Sequence, residues 1–401
     1  MSPQKEVVII GAGVIGCSIA YHLAQQGVPS QIIEMDSIAA RASGKAWAVW
    51  SYPPRLLGVE GQPPDRLWSV PKGSVRPWFG LLWSGYHRLP NIAQELREKG
   101  GIDIGYGELP WIRVALSENE EKGHKALLSL IRSAGYYEGS WLEADDLKAI
   151  FPDINQRARG GLSLPYLQAE PYQYTLGLAQ AAEKMGASIR QGQAVGFRHK
   201  GSRITSVILA SGTEVEADVF VLAMGPWSGQ GTSWLGKEIP ILISRTQCLR
   251  VNVPQQLPPY ALSIEAEGIA PAAIIPKVNG EVILGTSGIA DLQPGFDSSV
   301  TEEIKLMILD AATGLLSGLQ EGKLVEHRGD LNGWSPAPNH IQPVVGRLPK
   351  WENAYIATRM GALGVAMSLG VGEVMAALII SEGRVPDRVK TMMEVLSPAR
   401  P

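Results

Sequence analysis

Cysteine is close to absent from this chain, and what there is cannot cross-link it. Cys17 and Cys248 are the only two in 401 residues and lie in opposite halves, which excludes a disulfide framework and a zinc knuckle. Histidine is sparse as well: the six form no H-x-x-x-H pair, which argues against a structural metal. Charge of one sign is missing, since 36 Lys+Arg against 39 Asp+Glu leave a formal net charge of −3. No basic field exists to hold nucleic acid or anionic lipid. Unbroken apolar stretches are lacking too. The N-terminus carries Glu6 and three spaced glycines where a signal peptide needs a continuous apolar run. Residues 360–380 are apolar overall, yet Gly361, Gly364, Gly370, Gly372, Ser368 and Glu373 interrupt them, a poor composition for a spanning helix. They read as a glycine-rich loop followed by a buried helix, and the chain as a cytoplasmic protein without an integral membrane segment.

Apolar material is plentiful. Hydrophobic residues make up 45% and charged residues 19%, enough for a large core and too much for a disordered or fibrous chain. At roughly 150 residues per domain the length suggests two or three compact units. The 45 glycines and 28 prolines point to many turns and close backbone approaches. No internal repeat and no low-complexity segment is present.

The first forty-five residues carry the strongest pattern. Val7, Val8, Ile9 and Ile10 form a β-branched run typical of a strand buried on both faces of a parallel sheet. It stops at Gly11-Ala12-Gly13-Val14-Ile15-Gly16. Ile15, Ile19 and Leu23 then recur every fourth residue, so a helix runs to about Gln26, with Gly27 as its left-handed stop. Gln31-Ile32-Ile33 gives a second strand, ending on Glu34. Gly11 permits the tight turn, Gly13 lets a pyrophosphate approach the backbone, and Gly16 lets helix and strand pack closely. The helix start supplies free N–H groups and a positive dipole for the phosphates. Glu34, about twenty residues past the glycines, suits both ribose hydroxyls and would repel a 2′-phosphate. FAD and NAD(H) both fit this layout; NADP does not. Ala42-Ser43-Gly44-Lys45-Ala46 follows closely, and its small residues, hydroxyl and cation suit a second loop over a pyrophosphate.

The segments GAGVIGCSIAYHLAQQG, IIEMD and ASGKA together resemble the D-amino-acid oxidase superfamily of flavoproteins, on its glycine oxidase and sarcosine oxidase branch. Residues 219–228, VFVLAMGPWS, are similar to the family's strand ending in A-x-G-x-W-S beside the flavin. Residues 239–247, IPILISRTQ, resemble its P-x-x-x-x-R-G-Q stretch, with Thr246 in place of glycine. Residues 343–346 and 355–373 resemble its C-terminal flavin-contacting loop and helix. The resemblance implies an α/β fold: a Rossmann-like FAD-binding domain from 1–80, 145–232 and 330–395, interleaved with an α+β substrate domain on a mostly antiparallel sheet from 81–144 and 233–329. It implies non-covalent FAD, because Gly333 stands near the position of the sarcosine oxidase cysteine that bonds the flavin. Cofactor contacts are expected from Gly11, Gly13, Val14, Ile15, Gly16, Glu34, Met35, Arg41, Ala42, Ser43, Lys45, Ala46, Trp47, Ala48, Val195, Ala223, Met224, Gly225, Trp227, Gly361, Leu363, Gly364 and Val365. Coarse patterning adds helices at 95–99, 118–133 and 171–187, a strand at 188–197, and two strands within 273–286 around the hairpin signal Asn279-Gly280.

The substrate anchors depart from the family pattern. Ser335 stands where the glycine oxidase arginine is expected, Ala362 where a second arginine often lies, Ala366 at the sarcosine oxidase lysine, and Ala273 at a common tyrosine. Replacement cations are nearby in the sequence: Arg359 in the C-terminal loop, Arg245 in the substrate-domain strand, and Arg328 and His340 flanking Ser335. Arg359, Arg245 and His340 are the expected substrate-site residues. Trp47, Trp50 and Tyr52 suit an aromatic wall over the ring. Hydride transfer to flavin needs no nucleophilic side chain, so the expected activity is oxidation of a CH–NH bond in an amine or amino-acid-like small molecule, with dioxygen or an electron carrier as acceptor. A 2-hydroxy-acid dehydrogenase and a flavoprotein with a degenerate pocket and a binding role are the alternatives.

Overall fold

Four consecutive fully buried residues, Val7–Ile10, form the middle of a six-stranded sheet. The structure, a computed structural model, describes residues 6–51, 78–133, 135–236, 238–264, 271–286, 291–293, 295–336 and 342–399. The sheet runs in the order Val344–Arg347, Ala354–Thr358, Val219–Leu222, Val7–Ile10, Ser30–Glu34, Ser188–Gln191. All its pairings are parallel except that between the first two strands. Buried on both faces, such strands need continuous apolar runs, as VVII and VFVL supply. The helix Val14–Gln25 leaves the first strand at once and is buried along nearly its whole length.

Gly364–Ile380 covers that helix. With Gly361–Leu363 in a short turn before it, the segment is long and apolar enough to cross a membrane by length and composition. Protein covers it instead: Gly370 faces the backbone of Leu81, and a Cβ at Gly372 would run into Ser18 and His22. The loop and buried helix read from the sequence are both present. Phe79–Glu95 packs against the same helix through Leu81, Leu82, Leu89 and Ile92. The sequence suggested only 95–99 there, because Gly80, Gly85 and Pro90 break the pattern. Gly85 is needed, since a Cβ there would collide with the Ala366 carbonyl oxygen. Residues 96–100 are a π-turn at its end.

A nine-stranded sheet forms the second layer system. Its pairings are antiparallel except Ala261–Ile264 with Trp111–Ala115. Leu242–Asn252 pairs along its whole length with Lys323–Trp334, and its other edge takes Glu281–Gly285 and Asp291–Gln293. The hairpin around Asn279-Gly280 joins Ala272–Pro276 to Glu281–Gly285. Gly160–Leu164 belongs to this sheet as well. The expected single strand at 188–197 is two: Ser188–Gln191 ends the parallel sheet and Ala194–Lys200 starts a separate three-stranded one. The chain turns at Gly192, whose N–H donates to the Glu34 carbonyl at 2.7 Å. The expected loop at Ala42–Lys45 is one turn of helix.

Candidate active site

At the C-terminal edge of the parallel sheet, the glycine turn is as tight as its sequence requires. Gly11 has φ +109°, and a Cβ there would lie 2.5 Å from the Ala223 carbonyl oxygen. A Cβ at Gly16 would fall on the Gly11 carbonyl oxygen, so strand and helix can meet only over a glycine. Val14 N donates to Ser43 Oγ at 2.9 Å, which ties the second loop to the helix start. Glu34 Oε2 accepts from Ala12 N at 2.7 Å and Oε1 from Asp36 N at 2.9 Å. Each oxygen keeps a free lone pair for a further donor. A cavity of about 300 Å³ opens here, lined by Gly11, Gly13, Glu34, Met35, Arg41 and Trp227 among others. Arg41 pairs with Asp36 at 2.6 Å and lies over the Trp227 ring.

This groove continues into a cavity of about 120 Å³ whose lining includes Gly13, Val14, Ile15, Arg359, Gly361 and Gly364. That cavity in turn shares Ala42, Ala46, Asn332, Ala362 and Val365 with a third, of about 400 Å³. Most of the expected cofactor residues therefore converge on one trough. Gly16 packs beneath it. Val195 does not enter it; the side chain is exposed, and its strand neighbour Ala194 lines the first cavity instead. Leu363 is outside the three linings. The trough fits a dinucleotide: a glycine cradle and helix start for phosphates, a carboxylate for ribose, and apolar space beyond.

The third cavity is walled by one face of the paired strands Leu242–Asn252 and Lys323–Trp334. Ser244, Thr246 and Cys248 line it from the first, and Arg328, Asp330, Asn332 and Trp334 from the second. Lys45 enters this cavity, with Nζ 3.2 Å from the Gly329 carbonyl and 3.6 Å from Asp330. Burial pushes the Asp330 carboxyl above the usual carboxylate range, against the pull of Lys45 and Arg41. Burial also pushes the Cys248 thiol up, which leaves it a poor nucleophile. Trp47 lines the cavity and lies 6.4 Å from Trp111, stacked. Trp50 is fully buried, edge-on to Tyr174 at 5.1 Å. Tyr52 lies outside the described residues.

The expected substrate-site residues part company. Arg245 points away: Nε donates to Asp291 at 2.6 Å and Nη1 to the Ser299 carbonyl at 3.0 Å. The two-residue period of a strand explains it, because Ser244 and Thr246 face the cavity and the residue between them cannot. Arg359 lines the middle cavity, with φ +61° and Nε donating to the Pro240 carbonyl at 2.8 Å. His340 lies outside the described residues. Ser335 is buried and donates to Gln342 at 3.3 Å, outside the third cavity, whereas the methyls of Ala362 and Ala366 line it. Arg328, one of the replacement cations offered by the sequence, lines the third cavity. So does Asp330, which the sequence reading passed over. The signal was available: R-G-D-L-N-G-W at 328–334 alternates polar residues with glycine and leucine, a strand whose polar face must meet something.

The parallel sheet, the glycine turn with Glu34, and the apolar cavity beyond define a dinucleotide-dependent oxidoreductase. The chain belongs to the family described as FAD dependent oxidoreductase (DAO), whose model matches residues 6–378. It is 24% identical over 393 residues to a glycine oxidase of Bacillus licheniformis, covering 95% of this chain and 94% of that one. It is 30% identical over 244 residues to a D-amino acid dehydrogenase of Xanthobacter autotrophicus, 58% of this chain and 53% of that one. The solved glycine oxidase of Bacillus cereus superposes with a TM-score of 0.83 at 26% identity, over 99% of each chain. The protein is thus an FAD-dependent enzyme.

Proposed function

We propose that this enzyme oxidises a CH–NH bond of a primary or secondary amine, or of an amino-acid-like molecule, held in the 400 Å³ cavity. The observation that carries the reading is that cavity itself. It continues directly from the dinucleotide groove, and the described residues lining it include no nucleophile paired with a base. Bound FAD supplies the hydride acceptor. What remains for the protein is to hold the dinucleotide, to orient the substrate C–H bond, and to exclude water. In this reading Gly11, Gly13, Glu34, Arg41 and Ser43 hold the dinucleotide, and Trp47, Ala362 and Val365 border the reacting end. The names of the relatives, glycine oxidase and D-amino acid dehydrogenase, support an amine donor. They leave either dioxygen or an electron carrier as acceptor.

The flavin-binding unit is drawn from 1–80, 145–232 and 330–395 and the substrate unit from 81–144 and 233–329, apart from Gly160–Leu164, which pairs in the nine-stranded sheet, and Phe79–Glu95, which packs on Gly364–Ile380. The reaction takes place in the cytoplasm, in keeping with two cysteines that are both free and buried. Ser335, Ala362 and Ala366 offer no cation at the positions where the family resemblance expects one, so a carboxylate-bearing substrate is anchored differently here. The test is anaerobic addition of a diverse panel of amines and hydroxy acids to the yellow holoprotein. Bleaching of the flavin by amines is expected. Bleaching by hydroxy acids alone, or by nothing in a broad panel, would overturn the reading.

A further inference from the structure

Asn332 and Trp334, the last two side chains of the cavity wall, are satisfied within the sheet. Asn332 Nδ2 donates to Thr246 Oγ1 at 3.0 Å, and Trp334 Nε1 to Ser244 Oγ at 2.6 Å. Arg328 and Asp330 are not held so well. The Arg328 residue is 5% exposed, yet its contacts are few and weak: the soft acceptor Cys248 Sγ at 3.4 Å, and long ones to the Ala46 carbonyl at 3.4 Å and Glu326 at 3.7 Å. Asp330 is 4% exposed. Its Oδ1 accepts from Leu331 N at 2.6 Å, while Oδ2 makes no hydrogen bond and has only the Lys45 ammonium at 3.6 Å. A buried guanidinium with donors to spare and a buried carboxylate oxygen held only by a long ion pair are costly unless something completes them.

Their spacing says what that something is. Two residues apart on one face of a strand, the two groups are rooted about 7 Å from one another. An amine and a carboxylate on the same carbon, each with one hydrogen bond outward, span a similar distance. We propose that Arg328 and Asp330 form a dipolar receptor for the substrate head group, Arg328 taking a carboxylate and Asp330 Oδ2 taking an amine N–H. The inference rests on reading the third cavity as the substrate site. It assigns the anchoring task to the strand face, opposite in kind to the turn and helix-start positions where Ala362 and Ala366 present only methyls. Lys45 sets the strength of the amine half, because it stands beside Asp330 without hydrogen-bonding Oδ2.

Three inert probes of one shape test this: α-aminoisobutyrate, pivalate and tert-butylamine. All have a fully substituted central carbon, so none has a C–H to give up, and binding to oxidised holoprotein can be followed by flavin absorption. Wild type should bind α-aminoisobutyrate about tenfold or more tighter than either single-charge probe. Arg328→Met should erase its advantage over tert-butylamine, and Asp330→Asn should weaken its advantage over pivalate, with flavin content unchanged. Arg328→Lys should restore part of the first loss. Equal binding of the three probes to wild type, or none at all, overturns the proposal and needs no variant. Loss of flavin from Arg328→Met overturns it too, by assigning that side chain to the cofactor. The amine-oxidation reading fails separately, when no amine bearing an α-hydrogen bleaches the flavin, whatever these probes do.

Discussion

The groove at Glu34 and the cavity at Arg328 differ in how far along the chain their walls are drawn. The Ala12–Glu34 contact joins residues 22 apart within one strand–helix–strand unit, and Ala194, Ala223 and Trp227 only complete that groove from farther along the chain. The Arg328–Cys248 contact joins residues 80 apart, and the wall exists only when two strands of the larger sheet meet in register. The first end is built from backbone and the absence of side chains. The second is built from the side chains themselves. Damage to the first should therefore remove the folded holoprotein, while damage to the second should change what is recognised and leave the fold standing.

The harshest test of that contrast is Gly16→Ala. A single methyl would occupy the place of the Gly11 carbonyl oxygen, and the expected cost is about 3 kcal/mol or more. Expression should yield little soluble yellow protein. Gly123→Ala is the control, because a Cβ there meets nothing within 4 Å, and its melting temperature should hold or rise. Normal flavin content in Gly16→Ala would break the comparison.

A similar loss should be reached by pH alone. His22 lies on the helix that follows the glycine turn, 4% exposed. Nδ1 meets the Ser18 carbonyl at 2.7 Å and Nε2 meets Arg88 at 3.2 Å. A carbonyl only accepts and a guanidinium only donates, so the ring is neutral with its proton on Nδ1. Burial first and Arg88 second hold its pKa down, at about 4, against Ser18 and Glu95. The folded value lies below the unfolded one, so this stabilising contribution is complete above the ordinary imidazole value of 6.5 and is lost as pH falls toward about 4. The loss is about 3 kcal/mol. Denaturant melts from pH 7 to pH 4 should show a shallower decline in His22→Gln than in wild type; parallel slopes would contradict the assignment.

Glu34 should give a graded effect. Glu34→Gln loses the charge assistance to ribose hydroxyls, about 1.5–3 kcal/mol of FAD affinity, and Glu34→Ala loses more. Flavin fluorescence on dilution measures both, and equal affinities in all three proteins would show that the backbone amides alone occupy this carboxylate. The smallest effect belongs to Arg359. Its φ of +61° costs a non-glycine residue about 1 kcal/mol. Arg359→Gly should melt within a degree or two of wild type, while Arg359→Ala keeps the strain, loses the Pro240 contact and melts lower. A large loss of carboxylate-bearing substrates in either variant would move the anchor from Arg328 to this loop.

Much of this molecule was readable before any fold was known. Glycine, β-branched runs and helical spacing act over a few residues, so Val7–Ile10, Val14–Gln25, Glu118–Ser133 and the Asn279-Gly280 hairpin all emerge from local patterns. Phe79–Glu95 did not, because its glycines serve packing against Gly364–Ile380 and look like breaks until that partner is known. The strand at 188–197 failed for a related reason: a turn at Gly192 hands the chain from one sheet to another, and apolar content does not record which sheet a strand joins.

The same division runs through the site. By itself the sequence determined the glycine turn and the placing of Glu34 at the second strand's end, since each depends on residue type at a fixed local spacing; the absence of cations at Ser335, Ala362 and Ala366 is visible only through the family resemblance. Only the tertiary structure decided which charges face the third cavity. Arg245 and Arg328 are both arginines on neighbouring strands. A strand shows alternate residues to opposite faces, so pairing and register turn Arg328 inward with Asp330 and send Arg245 out to Asp291.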